Sequence, residues 1–205
     1  MNALNAGTQN RISPQKALEL LRDGNQRFTS KNMLKRDFHI QVRQTAGGQW
    51  PFAVVLGCID SRVPVELIFD QGIGDIFSAR VAGNFVNTDI LGSIEYGCKV
   101  AGSKLVMVLG HEGCGAIKGA CDGVELGNIT PMLANLHKAV DSVEDSGDRS
   151  SANADFVHKV IDSNVDLTIE DIRRKSAVLK EMEDAGEIMI VGAVYDVASG
   201  KVNFK

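Results

Sequence analysis

The sequence predicts an α/β fold: a central, mostly parallel β-sheet with flanking helices and an antiparallel edge. Three observations carry that expectation. Two continuous apolar runs, Phe52–Gly57 and Leu105–Gly110, each end in glycine and have the unbroken hydrophobicity of parallel strands covered on both faces. The residues between them alternate between strand and helix patterns, a β-α-β-α-β order that calls for right-handed crossovers. Near the end of the chain, Glu187–Asp196 and Lys201–Phe204 flank Ala198-Ser199-Gly200 and read as a hairpin.

The chain reads as one domain over residues 1–205, with a helical arm (1–48) ahead of an α/β core (49–205). Ser13 and Pro14 suit the N-cap and first turn of a helix whose apolar stripe is Ala17, Leu18, Leu21 and Phe28. Gly24 and Asn25 weaken that helix from within, so it needs a surface to dock on. Because the stripe precedes every strand, a second subunit is the expected surface. Lys31–Gly48 is polar and reads as irregular, with a hinge at Gly47-Gly48.

After Arg62, Pro64 opens a short helix through Phe69, which Gly72 and Gly74 end. Asp75–Val81 reads as a strand and Ala82-Gly83-Asn84 as a turn. Asn87 or Thr88 caps a helix carrying Ile90, Leu91, Ile94, Tyr96 and Val100. Gly113, Gly115 and Gly119 surround the start of the next helix, and Ile129–Val140 is helical. Asp141–Ala154, rich in Ser, Asp and Gly, is an expected loop, and Val165–Ala185 an amphipathic helix stopped by Gly186.

A chain of 205 residues buries roughly 70% of its unfolded surface and needs no disulfide staples. The net charge of −4 and the lack of a basic cluster speak against a nucleic-acid partner. No apolar run approaches the ~18 residues of a membrane span, and no apolar leader opens the sequence. The expected location is the cytoplasm, or the periplasm if a leader has been removed. Of four cysteines, Cys98 and Cys121 fall in helical stretches and read as small buried hydrophobes.

The chemistry is concentrated after the two apolar runs. Cys58-Ile59-Asp60-Ser61-Arg62 follows the first, and His111-Glu112-Gly113-Cys114 follows the second. Two thiols, an imidazole and a carboxylate are the donors zinc prefers. If the two strands are neighbours, both pairs leave the carboxyl edge of the sheet, where open α/β sheets place their sites. Asp60 then has two possible homes: on the metal, closing the site, or paired with Arg62, leaving a position for water. Residue types alone leave a structural and a catalytic site both open.

With Val63 and Pro64, Asp75–Asn84, Ile94-Glu95-Tyr96 and Gly110-His111-x-x-Cys114-Gly115 added, nearly the whole chain resembles a β-class carbonic anhydrase. The resemblance implies a β-carbonic anhydrase-like fold and one Zn2+ per subunit on Cys58, His111 and Cys114. Water takes the fourth position, or Asp60 does in a closed form. It implies reversible hydration of carbon dioxide to bicarbonate and a proton by zinc-bound hydroxide, with Asp60 and Arg62 catalytic. It also implies substrate contacts from Gln49, often supplied by the neighbouring subunit, from Phe77, Ala82 and Tyr96 on the apolar side, and from the Gly115 N–H. Assembly as a homodimer or homotetramer follows from the same likeness.

One position departs from the pattern. Relatives that bind a regulatory bicarbonate carry a tryptophan three residues before the first ligand, where Val55 stands, and Trp50 is out of register. The open, Arg62-paired form of Asp60 is therefore expected. The rival readings are a hydrolase of carbon disulfide or carbonyl sulfide on the same fold and a non-catalytic zinc-stabilised binding module. A nucleotide-binding domain lacks its glycine spacing and its Walker lysine. His39, His137 and His158 match no motif and read as surface histidines.

Overall fold

A computed structural model describes residues 2–205. The arm contains α1 (Ala6–Gln9), α2 (Pro14–Thr29) and α3 (Phe38–Thr45). The core runs β1 (Ala53–Gly57), α4 (Val65–Ile68), β2 (Ile76–Arg80) and α5 (Thr88–Glu95), which passes through a π turn (Tyr96–Val100) into β3 (Leu105–His111). There follow α6 (Gly115–Cys121), α7 (Ile129–Leu133), α8 (His137–Ser142), α9 (Ala154–Lys175), α10 (Ala177–Asp184), β4 (Met189–Tyr195) and β5 (Val202–Phe204). Among the described residues no helix is long and apolar enough to cross a membrane.

The sheet order is β2-β1-β3-β4-β5, parallel throughout except for the antiparallel β4–β5 edge. Adjacency of β1 and β3, with Leu56 opposite Val108, brings the two motif-bearing strand ends side by side. Alternate residues serve two cores. Val54, Leu56, Val106 and Val108 face α9 through Ile161, Val165 and Ile169, while Val55, Met107 and Leu109 face α2 through Ala17, Leu18 and Leu21.

That second core corrects the expectation of a trans-docked first helix, because α2 lies on the sheet of its own chain. Gly24 and Asn25 are the means of docking rather than weak points. A Cβ at residue 24 would overlap the Phe69 carbonyl oxygen. Asn25 Nδ2 donates to the carbonyls of Ile68 (3.1 Å) and Gly200 (2.9 Å), and its Oδ1 accepts from Val202 N–H (2.9 Å).

Lys31–Gly48 is not irregular throughout. Asp37 caps α3 by accepting from Ile40 N–H, and Gln41 is fully buried while Phe38, Ile40 and Val42 are exposed. This inverted polarity hides the helix from a search for apolar stripes. Ile129–Val140 is two short helices broken at residues 134–136, and Asn87 caps α5 through Ile90 N–H. Tyr96 and Val100 of the expected stripe are exposed, at 52% and 70%. The last long helix starts at Ala154, not Val165, under an Asn153 cap. It stops at Ser176, whose hydroxyl caps α10 and also donates to Glu95 Oε1 at 2.5 Å.

Candidate metal centre

Cys58 is the first residue beyond β1, His111 is the last of β3, and Cys114 is the N-cap of α6. Gly113, at φ +65°, makes the tight turn that returns Cys114 beside His111. Cys58 Sγ, Cys114 Sγ and a ring nitrogen of His111 lie within 4.8 Å of one another, and all three residues are buried.

His111 Nδ1 lies 3.0 Å from the Glu112 carbonyl oxygen, which can only accept, so Nδ1 carries the proton. Nε2 is therefore an unprotonated acceptor. It is buried and has no hydrogen-bond partner among the described residues. An orphan lone pair beside two thiols is costly in an empty core and is what a cation would satisfy.

The sulfurs interact strongly. The Cys58 thiol is pulled down, chiefly by a hydrogen bond from Cys114, with the Gly83 N–H adding to it against the cost of burial. The same hydrogen bond and burial push Cys114 up. Without a cation the pair holds a single negative charge; a dication between them removes that conflict. The three donors fit a thiophilic divalent metal.

Asp60 is turned away from this group. Arg62 Nε donates to Oδ1 (2.9 Å), Nη2 donates to Oδ2 (2.8 Å), and the backbone N–H of Arg62 adds a bond to Oδ1 (2.9 Å). These bonds from Arg62 hold the carboxyl well below the usual carboxylate range. Arg62 Nη2 also lies 3.4 Å from the Gly113 carbonyl, tying the two motifs together.

Phe77 and Tyr96 meet edge to face with centroids 6.2 Å apart, in an open groove of about 660 Å3 along β2. Neither thiol nor His111 lines that groove. Gln49 is exposed and precedes β1, whereas Cys58 follows it. Five strand residues, roughly 16 Å, separate the two ends. One chain therefore does not bring Gln49, Phe77 and Tyr96 onto its own Cys58. Ala82 is half-buried in the turn that touches Cys58 through Gly83, and Gly115 is exposed at the start of α6.

The carbonic anhydrase family matches residues 53–202. The chain belongs to the β-carbonic anhydrase family. A carbonic anhydrase of Mycolicibacterium smegmatis is 34% identical over 197 residues, 94% of each chain. The β-carbonic anhydrase CafA of Aspergillus fumigatus superposes with a TM-score of 0.69 at 27% identity, covering 80% of this chain and 79% of that one. A tetrameric β-carbonic anhydrase of Sordaria macrospora gives 0.67 at 26%, covering 80% and 88%.

Three residues brace this candidate centre without having been assigned a role from sequence: Arg80 and Gly83, inside the Asp75–Asn84 stretch, and Asn164, in no motif. Arg80, at the end of β2, donates to the carbonyls of Cys58 (2.7 Å) and Asp60 (2.6 Å) and clamps the first motif. Its signal was a lone arginine closing an otherwise weakly polar strand. Gly83 and Asn164 act from a turn and a distant helix, where sequence carries no sign of the contact.

Proposed function

We propose that Cys58 Sγ, His111 Nε2 and Cys114 Sγ hold one zinc ion, and that the chain catalyses the reversible hydration of carbon dioxide to bicarbonate and a proton. The observation that carries this reading is the buried, unpartnered Nε2 of His111 between two thiols, with the carboxylate of Asp60 held off by Arg62. A structural site would need a fourth protein donor, and Asp60 is not in position to be one.

Zinc, when bound, supplies the acidity that makes water nucleophilic near neutral pH, for which about 7 is the reference value in a three-histidine carbonic anhydrase site, and two thiolate donors raise it. The protein's own groups do the rest. Asp60, kept ionised, accepts a hydrogen bond from the attacking water and fixes where its lone pair points. Arg62 prevents the carboxylate from swinging inward. The Gly115 N–H faces the product anion, and Phe77, Ala82 and Tyr96 offer carbon dioxide an apolar wall.

Because Gln49, Phe77 and Tyr96 lie far from their own ligands, they serve the site of a neighbouring copy, and the working unit is a homodimer or a homotetramer. The tetrameric relatives of Sordaria macrospora support such assembly.

Stopped-flow hydration measured across pH, before and after chelation, tests the reading. The expected result is one zinc per chain and activity that rises with pH through a midpoint above about 7 and is lost on chelation. His111→Ala and Cys114→Ser chains should lose the metal. Stoichiometric zinc without hydration at any pH, or turnover confined to carbonyl sulfide or carbon disulfide, overturns it.

A further inference from the structure

Gly83 is held from two sides. Its N–H donates to Cys58 Sγ at 3.4 Å, and its carbonyl oxygen accepts from Asn164 Nδ2 at 2.9 Å. Asn164 lies on α9, 81 residues further along, and is 4% exposed. Its neighbours on the buried face of that helix include Val160, Ile161, Val165 and Ile169, so an amide here interrupts an apolar surface. Burying an amide in such a place costs free energy unless its hydrogen bonds are made.

The turn it reaches has little freedom to shift. Gly83 has φ +81° and the following Asn84 φ +41°, and a Cβ on residue 83 would come within 2.7 Å of Leu136 Cδ1. The turn, packed between Leu136 and α9, is closed by the Asn84 N–H on the Val81 carbonyl (3.0 Å) and joined to the end of β1 by the Val81 N–H on the Gly57 carbonyl (3.2 Å). Neither bond engages the Gly83 carbonyl, which the Asn164 amide holds from the helix side, steadying Gly83 and with it the direction of the N–H that meets the sulfur.

We infer that Asn164 is a positioning residue for the metal centre: through Gly83 it keeps an N–H aimed at Cys58 Sγ, fixing how that sulfur is presented to the ion and how strongly it donates. The inference rests on the proposed role of Cys58 as a ligand. Groups that orient first ligands in this way are worth roughly 10- to 100-fold in metal affinity.

The test uses the full-length chain loaded with Zn2+ or Co2+, with Asn164→Leu, the near-isosteric Asn164→Asp, and Thr168→Val. Thr168, one turn further on α9, is equally buried and serves as a packing control. Competition with a chelator should show zinc held roughly 10- to 100-fold more weakly in both Asn164 variants and unchanged in Thr168→Val. The thiolate-to-cobalt absorption band should shift in the Asn164 variants alone; being read on the folded fraction, it stands even if Asn164→Leu loses stability. Wild-type affinity and an unshifted band in both variants overturn the inference while leaving the zinc reading intact. So does an equal loss in Thr168→Val. A wild-type chain that takes up no zinc overturns both.

Discussion

Arg62 grips Asp60 at two points, Nε on Oδ1 and Nη2 on Oδ2, at 2.9 and 2.8 Å. A planar fork matched to a carboxylate fixes the position as well as the charge of the acid, which a lysine ammonium cannot do. The carboxyl is held below its ordinary value, so it stays ionised as pH falls and protonates only under strong acid.

Asp60→Asn should therefore lower kcat/KM by about 10²- to 10⁴-fold, the range for a lost acid–base partner. Arg62→Lys, though it keeps the charge, should lose at least about 10-fold by freeing the carboxylate. Stopped-flow kinetics on zinc-replete protein separate these from metal loss. An Asp60→Asn enzyme as fast as wild type would remove the carboxylate from the mechanism.

Gly24→Ala distinguishes helix propensity from packing. In an isolated helix alanine gains about 1 kcal/mol over glycine. Here the added methyl overlaps the Phe69 carbonyl, a rigid backbone atom. The expected outcome is a net loss of about 1–3 kcal/mol in urea unfolding, as overpacking typically costs. A stabilised variant would mean that α2 does not dock as described.

Asp70 has a fully buried side chain, and Arg27 and Arg36 both pair with it. Burial raises its pKa, but hydrogen bonds from Arg27, Arg36 and the Leu34 N–H outweigh that and leave it lowered. A lowered folded value gives stability that is present above the unfolded carboxylate value of about 3.9 and is lost as pH falls through the folded one. Asp70→Asn suits the positive φ of this position and should cost about 3–5 kcal/mol near neutrality by removing the negative charge that Arg27 and Arg36 share, Arg36 keeping only its bonds to the backbone carbonyls of Leu34 and Asp70. The gap to wild type should narrow below about pH 4. Urea midpoints across pH measure both effects.

Gln49 and Cys58 sit at opposite ends of β1, so the proposed sharing of a site between subunits can be tested by complementation. Gln49→Ala and Cys58→Ser homo-oligomers should each be impaired. Co-refolded together, mixed assemblies should regain activity, because one interface then pairs an intact Gln49 with an intact Cys58 site. No recovery in verified hetero-oligomers would place the glutamine outside the site.

The strands were legible because β1 and β3 are continuous apolar runs, and the hairpin because its turn residues are local. The candidate metal group was legible for a related reason: Cys58 with Asp60, and His111 with Cys114, are close in sequence, so each pair's geometry is set by a single turn. Helix α3 was not, since its buried residue is Gln41 and its apolar residues face outward. The break at Ser176 was also missed, because a serine mid-helix shows its capping role only when the chain turns around it.

Local order along the chain was enough to single out the Cys58, His111 and Cys114 group and the strands that carry it, since strand periodicity and tight-turn geometry act over a few residues. Only the folded chain could show that α2 docks on its own sheet through a glycine, that Arg80 clamps the Cys58 turn, and that Asn164 reaches Gly83. Each of those contacts joins residues between 20 and 81 positions apart or depends on a missing side chain. Such pairings have no periodicity to betray them, because they are set by how the layers pack.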